Sequence, residues 1–98
     1  MSRSLIVHPS AVADITIAAD WYDERHPNLR DIFLAEINDA LNKITQNPSQ
    51  YQVVYRNFRR VLLNRFPYAV FYILSEREIV VTACIHGRRN LPKTLRQK

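Results

Sequence analysis

One histidine sits among several arginines near the end of this 98-residue chain, in the run Ile85-His86-Gly87-Arg88-Arg89. A histidine within reach of arginines can carry a proton to or from a phosphodiester while guanidinium groups hold the phosphate oxygens. By that chemistry His86 is the candidate proton carrier, with Arg65 and Arg89 as candidate stabilisers of phosphate charge. The same pattern also suits plain binding of a polyanionic or acidic target, through Arg59, Arg60, Arg88, Arg89, Lys93 and Arg96. A third reading is a solvated basic rim that keeps a small protein in solution.

The charge distribution makes the cluster worth attention. From Arg56 to Lys98 there are ten Lys/Arg against two acids, whereas residues 1 to 55 carry four bases and seven acids. The chain as a whole stands at +5, so almost all of its positive charge lies in the second half. That half also holds most of the strand-like runs, which places the arginines at the border of a sheet.

Other chemistries find little support. A single glycine excludes the glycine-rich loops that cradle nucleotide phosphates. His8, His26 and His86 are too scattered to read as metal ligands, so no metal and no cofactor are expected. Cys84, the lone cysteine, lies in an apolar run and reads as a buried hydrophobe in a reducing, cytoplasmic setting. Asp23-Glu24 and Glu76/Glu78 fall at a helix end and a turn, where carboxylates are solvated by default. No apolar stretch approaches the roughly 18 residues of a membrane helix.

The elements that must position these residues follow from periodicity. Leu5-Ile6-Val7 reads as a short strand stopped at His8-Pro9, after which Pro9 or Ser10 opens a helix, proline suiting its first turn and serine capping it. Ala11, Ile15, Ala18 and Tyr22 form its apolar stripe, with Asp14 near the edge of that stripe and Trp21-Tyr22 sealing the helix against the sheet. His26-Pro27 breaks it, and Leu29, Phe33, Ile37, Ala40, Leu41 and Ile44 mark a second helix ended by Asn47-Pro48. After a loop over 49–57 come three strand-like runs: 60–63, 69–74 and 79–85. Short connectors make them consecutive antiparallel hairpins. The period-two rule puts His86 on one face with Cys84, Thr82 and Val80. The order β-α-α-β-β-β predicts a single α+β domain over 1–98. An antiparallel helical hairpin packs on a mainly antiparallel four-stranded sheet, and 91–98 form a polar tail.

Taken together, several blocks resemble a known family. They are A-x-x-D-I-x-x-A-x-x-W-Y over 11–22, F-L-A-E-I, I-T-Q-N-P-x-x-Y up to Tyr51, R-R-V-L-L-N-R-F-P-Y-A-V-F-Y over 59–72, and I-H-G-R-R-N-L-P over 85–92. The chain is similar to the RelE/ParE superfamily of type II toxin–antitoxin toxins, often labelled plasmid stabilisation proteins. The resemblance implies a RelE-like fold and a growth-arresting toxin neutralised by a cognate antitoxin whose acidic segment wraps it. RelE-like members cleave mRNA on the ribosome without a metal, and ParE-like members poison DNA gyrase. This sequence departs from the nuclease branch in having apolar Val61, Leu62 and Leu63 where basic residues are usual, and Tyr68-Ala69 where an arginine is usual. The expected target is therefore gyrase, with ribosome-bound mRNA as the alternative.

Overall fold

The computed structural model describes residues 3–87. Seven elements follow in the order β1 (Ser4–Val7), α1 (Pro9–Arg25), α2 (Leu29–Gln46), β2 (Val53–Tyr55), β3 (Phe58–Leu62), β4 (Tyr68–Leu74) and β5 (Glu78–His86). The five strands form one sheet in the order β1-β5-β4-β3-β2, antiparallel throughout except that β1 runs parallel to β5. The two helices cover one face of that sheet, so the α+β hairpin-on-sheet architecture expected from the pattern is the one observed.

The expected 49–57 loop is the main addition. It contains β2, which turns back into β3 through Arg56-Asn57 and extends the sheet to five strands. Arg56 adopts a left-handed φ of 49°, the conformation that a two-residue hairpin turn demands and that glycine or asparagine usually supplies.

The helix stripe packs as its spacing requires. Ala11, Ala18 and Tyr22 of α1 and Phe33, Ile37, Ala40 and Ile44 of α2 are buried against Val61, Val70, Tyr72, Ile79 and Val81. At one end Tyr22, Phe33, Phe66 and Tyr68 form an aromatic cluster with ring centroids 4.7–6.3 Å apart. Such contacts, edge-on except for the tilted Tyr22–Phe33 pair, add to area burial. Trp21 joins the cluster only at the rim, meeting Tyr22 edge-on at 5.1 Å. Its ring is half exposed and carries the Arg25 guanidinium 3.9 Å from its centre, so of the expected Trp21-Tyr22 seal Tyr22 is the buried member.

The cap of α1 also differs from expectation. His8 is the N-cap, its Nδ1 accepting the Ser10 N–H at 3.1 Å. The Ser10 hydroxyl instead donates to the Thr82 carbonyl at 2.7 Å, while the His8 N–H donates to the Val81 carbonyl at 2.8 Å. Those bonds grip β5 where its register shifts. Phe71 pairs with Ala83 but Tyr72 pairs with Val81, which leaves Thr82 as an extra residue. A bulge of one residue reverses the phase of side chains beyond it. Consequently Cys84 and His86 share the helix-covered face with Ile79 and Val81, not with Val80 and Thr82.

Candidate functional site: the His86 cleft and the arginines around it

His86 ends β5 opposite Tyr68, the first residue of β4, and the two rings meet edge-on at 5.2 Å. The bulge at Thr82 turns His86 toward α1. There it lines an open cleft of about 590 Å3 with Ile17, Ala18, Trp21, Tyr22, Pro67 and Tyr68. Ile17 is the most exposed large apolar side chain among the described residues, at 70%. It and Trp21 are one helical turn apart and form an apolar lip over the cleft.

Asp14 borders the inner end of this region, and its Oδ2 accepts the Cys84 backbone N–H at 3.0 Å. Beyond Val7 the strand β1 has ended, so the outer edge of β5 faces α1 instead of a neighbouring strand. The carboxylate from α1 takes the place of a missing ladder acceptor. Cys84 is buried, as an apolar strand residue should be. Burial raises the Tyr22 phenol above its ordinary value, with smaller contributions from Tyr68 and Cys84.

The arginines are not one cluster. Arg59 lies on the helix-covered face, where its guanidinium donates to the carbonyls of Ser49 (3.1 Å) and Tyr51 (2.6 Å). The neighbouring Tyr72 hydroxyl donates to the Pro48 carbonyl at 2.5 Å. Burial raises the Tyr72 phenol, Arg59 opposes that rise, and Tyr51 adds to it. Arg59 and Tyr72 thus tie the chain after α2 to the sheet. Arg65, on the β3–β4 connection, stands 3.7 Å from Glu36 of α2, and its side chain is 73% exposed. The Glu36 carboxylate makes its short contacts with backbone, accepting the N–H groups of Asn64 (2.8 Å) and Arg65 (3.1 Å). Arg60 occupies the opposite face from Arg59, across from Phe71.

Of the residues singled out by sequence, His86 is placed in a cleft, Arg65 is turned to α2, Arg59 holds a loop, and Arg60 lies toward the β2 edge. Arg88, Arg89, Lys93 and Arg96 lie outside the described residues, as does the 91–98 tail. Sequence reasoning missed Asp14, Glu36 and the Ile17/Trp21 lip. The lip had a signal: Val12, Ile17 and Trp21 are large apolar residues off the Ala11/Ile15/Ala18/Tyr22 stripe. Among the described residues no group of three or more His, Cys, Asp or Glu could hold a metal ion, and no helix is long and apolar enough to cross a membrane.

Comparison with known proteins bears on what this arrangement serves. Residues 5–91 match the family described as ParE toxin of type II toxin-antitoxin system, parDE. Toxin ParE2 of Mycobacterium tuberculosis, from two strains, is 30% identical over 91 residues, covering 92% of this chain and 87% of the relative. The fold is shared with a chain of the chromosomal ParDE toxin–antitoxin system from P. aeruginosa (TM-score 0.77, 19% identity, 87% of this chain and 96% of that one). It is also shared with a chain of the RelBE2 toxin–antitoxin complex from M. tuberculosis (TM-score 0.58, 14% identity, 88% and 99%). With a family match across nearly the whole described chain and a curated relative at this identity, the protein belongs to the ParE toxin family of type II toxin–antitoxin systems.

Proposed function

We propose that this toxin arrests growth by binding DNA gyrase, without bond-making chemistry of its own, and that an acidic segment of its cognate antitoxin wraps it. The observation that carries this reading is the ParE family match over residues 5–91. The different neighbours of two candidate nuclease groups support it. His86 faces α1 across the cleft, whereas the solvent-exposed Arg65 side chain stands 3.7 Å from Glu36 of α2. The target surface is assigned to Arg60 together with Arg88, Arg89, Lys93 and Arg96. Arg59 is withdrawn from it, because its guanidinium is occupied by backbone carbonyls.

The test is supercoiling by purified gyrase with and without the antitoxin-free toxin. Inhibition or trapped cleaved DNA is expected, and the Arg88→Ala/Arg89→Ala variant should lose both while staying folded. A folded toxin that arrests growth and leaves gyrase untouched would overturn the reading.

One observation favours the alternative of ribosome-dependent mRNA cleavage: His86 and Tyr68 stand together in an open cleft. In that mechanism His86 moves the proton, with Arg65 and Arg89 holding phosphate oxygens. The His86→Ala variant would then lose cleavage while keeping antitoxin binding. Full activity in that variant removes His86 from the mechanism.

A further inference from the structure

The sheet face opposite the helices is buried at a place where its own rows of side chains cannot bury it. On that face Ala69, Phe71, Ala83 and Ile85 form a second apolar cluster, each at most 3% exposed. The partly buried apolar side chains packed against it, Val54, Tyr55 and Phe58, all come from β2 and β3. Phe58 pairs with Ile73, the row next to that of Phe71, so these side chains account for Phe71. They stand two rows and at least two strands away from Ile85.

The neighbours of Ile85 on its own face are the smallest side chains there are. Ala69 lies across from it on β4, and Ala83 and Gly87 flank it along the chain. Methyl groups and a hydrogen would leave an isoleucine open to water, yet Ile85 is 2% exposed. Leu62, at the β3 end of the same row, is 61% exposed, and Ile6, beyond Val80 on β1, is 40% exposed. The cover is therefore narrow and lies over the end of β4 and β5 nearest Gly87. Both helices pack on the other face. Gly87 is fixed at that end of the sheet by its N–H, which donates to the Pro67 carbonyl at 2.7 Å. Eleven residues follow it, and Leu91 and Leu95 are their only large apolar side chains.

We propose that residues 88–98 fold back over this face as a strap, with Leu91 seated on Ile85 in the trough of Ala69, Ala83 and Gly87. The reach is sufficient. A point one packing layer above Ile85 is about 12 Å from Gly87, and four extended residues span about 13–14 Å. Leu91 precedes Pro92, which favours the extended backbone that such a crossing needs. Anchoring at Leu91 holds Arg88 and Arg89 between two fixed points, and so lowers the ordering cost of their contact with an acidic target. That second step rests on the reading above that this pair meets gyrase.

The test reads methyl contacts by nuclear Overhauser effect in the full chain, labelled with 13C. A contact between Leu91 and Ile85 is expected, and it should persist in the Arg88→Ala/Arg89→Ala variant. Leu91→Ser should lose the contact, melt roughly 5 °C lower and inhibit gyrase about tenfold more weakly. Leu91→Ile should restore all three, and Leu62→Ser, at the exposed end of the same row, should leave them unchanged. Absence of the contact would overturn the strap. So would a contact seen only between labelled and unlabelled copies in a mixed sample, which assigns the face to a second copy of the chain. A Leu91→Ser chain that loses the contact but inhibits gyrase undiminished overturns the restraint on the arginines alone. Failure of the unaltered chain to inhibit gyrase overturns the gyrase reading and leaves the Leu91–Ile85 contact standing.

Discussion

Removing the Glu36 carboxylate should cost far more than removing the arginine beside it. Glu36 accepts two backbone N–H groups, from Asn64 and Arg65, and its side chain is 13% exposed. It is the fastener between α2 and the β3–β4 connection that precedes Phe66. Hydrogen bonds to a charged group contribute about 1.5–3 kcal/mol each. Asn64 and Arg65 are exposed, so water replaces part of the loss, and about 2–3 kcal/mol is expected in total for Glu36→Ala. For a domain of this size that corresponds to a fall in Tm of roughly 8–20 °C. The Arg65 guanidinium stands at 3.7 Å and is mostly in solvent, so Arg65→Ala should change stability by less than about 0.5 kcal/mol. Glu36→Gln, which keeps an acceptor but loses the charge, should fall between. Urea denaturation of the three variants, with m checked for constancy, reads this directly. If Arg65→Ala costs as much as Glu36→Ala, the side-chain ion pair is the fastener and the backbone argument fails.

Arg56 holds a left-handed φ of 49° at the β2–β3 turn. Arg56→Asn should therefore raise stability by about 0.5 kcal/mol and Arg56→Val lower it by about 1–2 kcal/mol. Thermal melts in which valine equals or exceeds asparagine would contradict that backbone. The Tyr22 and Tyr72 phenols are raised above 10.0 in the folded chain, so the unfolded chain releases these protons first. Their contribution to stability is complete below about pH 10 and is lost as pH rises through the folded values. Tyr72→Phe should lower neutral-pH stability by about 1 kcal/mol, through the lost bond to Pro48, yet lessen the alkaline loss. Urea midpoints from pH 8 to 11 that run parallel for the two proteins would refute it. Asp14→Ala should speed hydrogen exchange at the Cys84 amide, while Asp14→Asn, still an acceptor, should largely preserve protection. Equal exchange in both variants would show that the carboxylate is not what protects the amide.

The architecture was legible because the apolar spacing in both helices is regular and four of the connectors are punctuated, by Pro9, Pro27, Pro48 and Pro67. Where reading stopped, the reasons are physical. Val53-Val54-Tyr55 is a β-favouring run, but three residues followed by Arg56-Asn57 carry no glycine to mark a hairpin. The bulge at Thr82 lies within a run that is apolar on both sides, so no change of polarity marks the change of phase. His86 was singled out by its arginine neighbours and the fold puts it in a cleft, yet its neighbours on that face were assigned one residue out of phase. The Ser10 hydroxyl was read as a local cap because sequence shows only local partners. Its actual acceptor, Thr82, is 72 residues away.

Counting arginines overstates what a basic half can offer to a target. Each guanidinium has a geometry, and the fold uses some of them before any partner arrives. Arg59 is committed to two carbonyls and could not turn outward without releasing the loop that it fixes. Arg25 lies over Trp21, and Arg30 is 2.6 Å from Asp20, so the helical arginines are engaged locally. Arg60, from the same Arg-Arg pair as Arg59, points the other way because adjacent strand residues face opposite sides. A substitution that treats 59 and 60 as one basic patch would therefore mix a loss of loop anchoring with a loss of surface charge. Single substitutions separate them: Arg59→Gln should lower stability through residues 48–52, and Arg60→Gln should leave stability nearly unchanged while weakening contact with an acidic partner. Equal destabilisation by both would mean that the alternation of faces along β3 does not govern what these two arginines do.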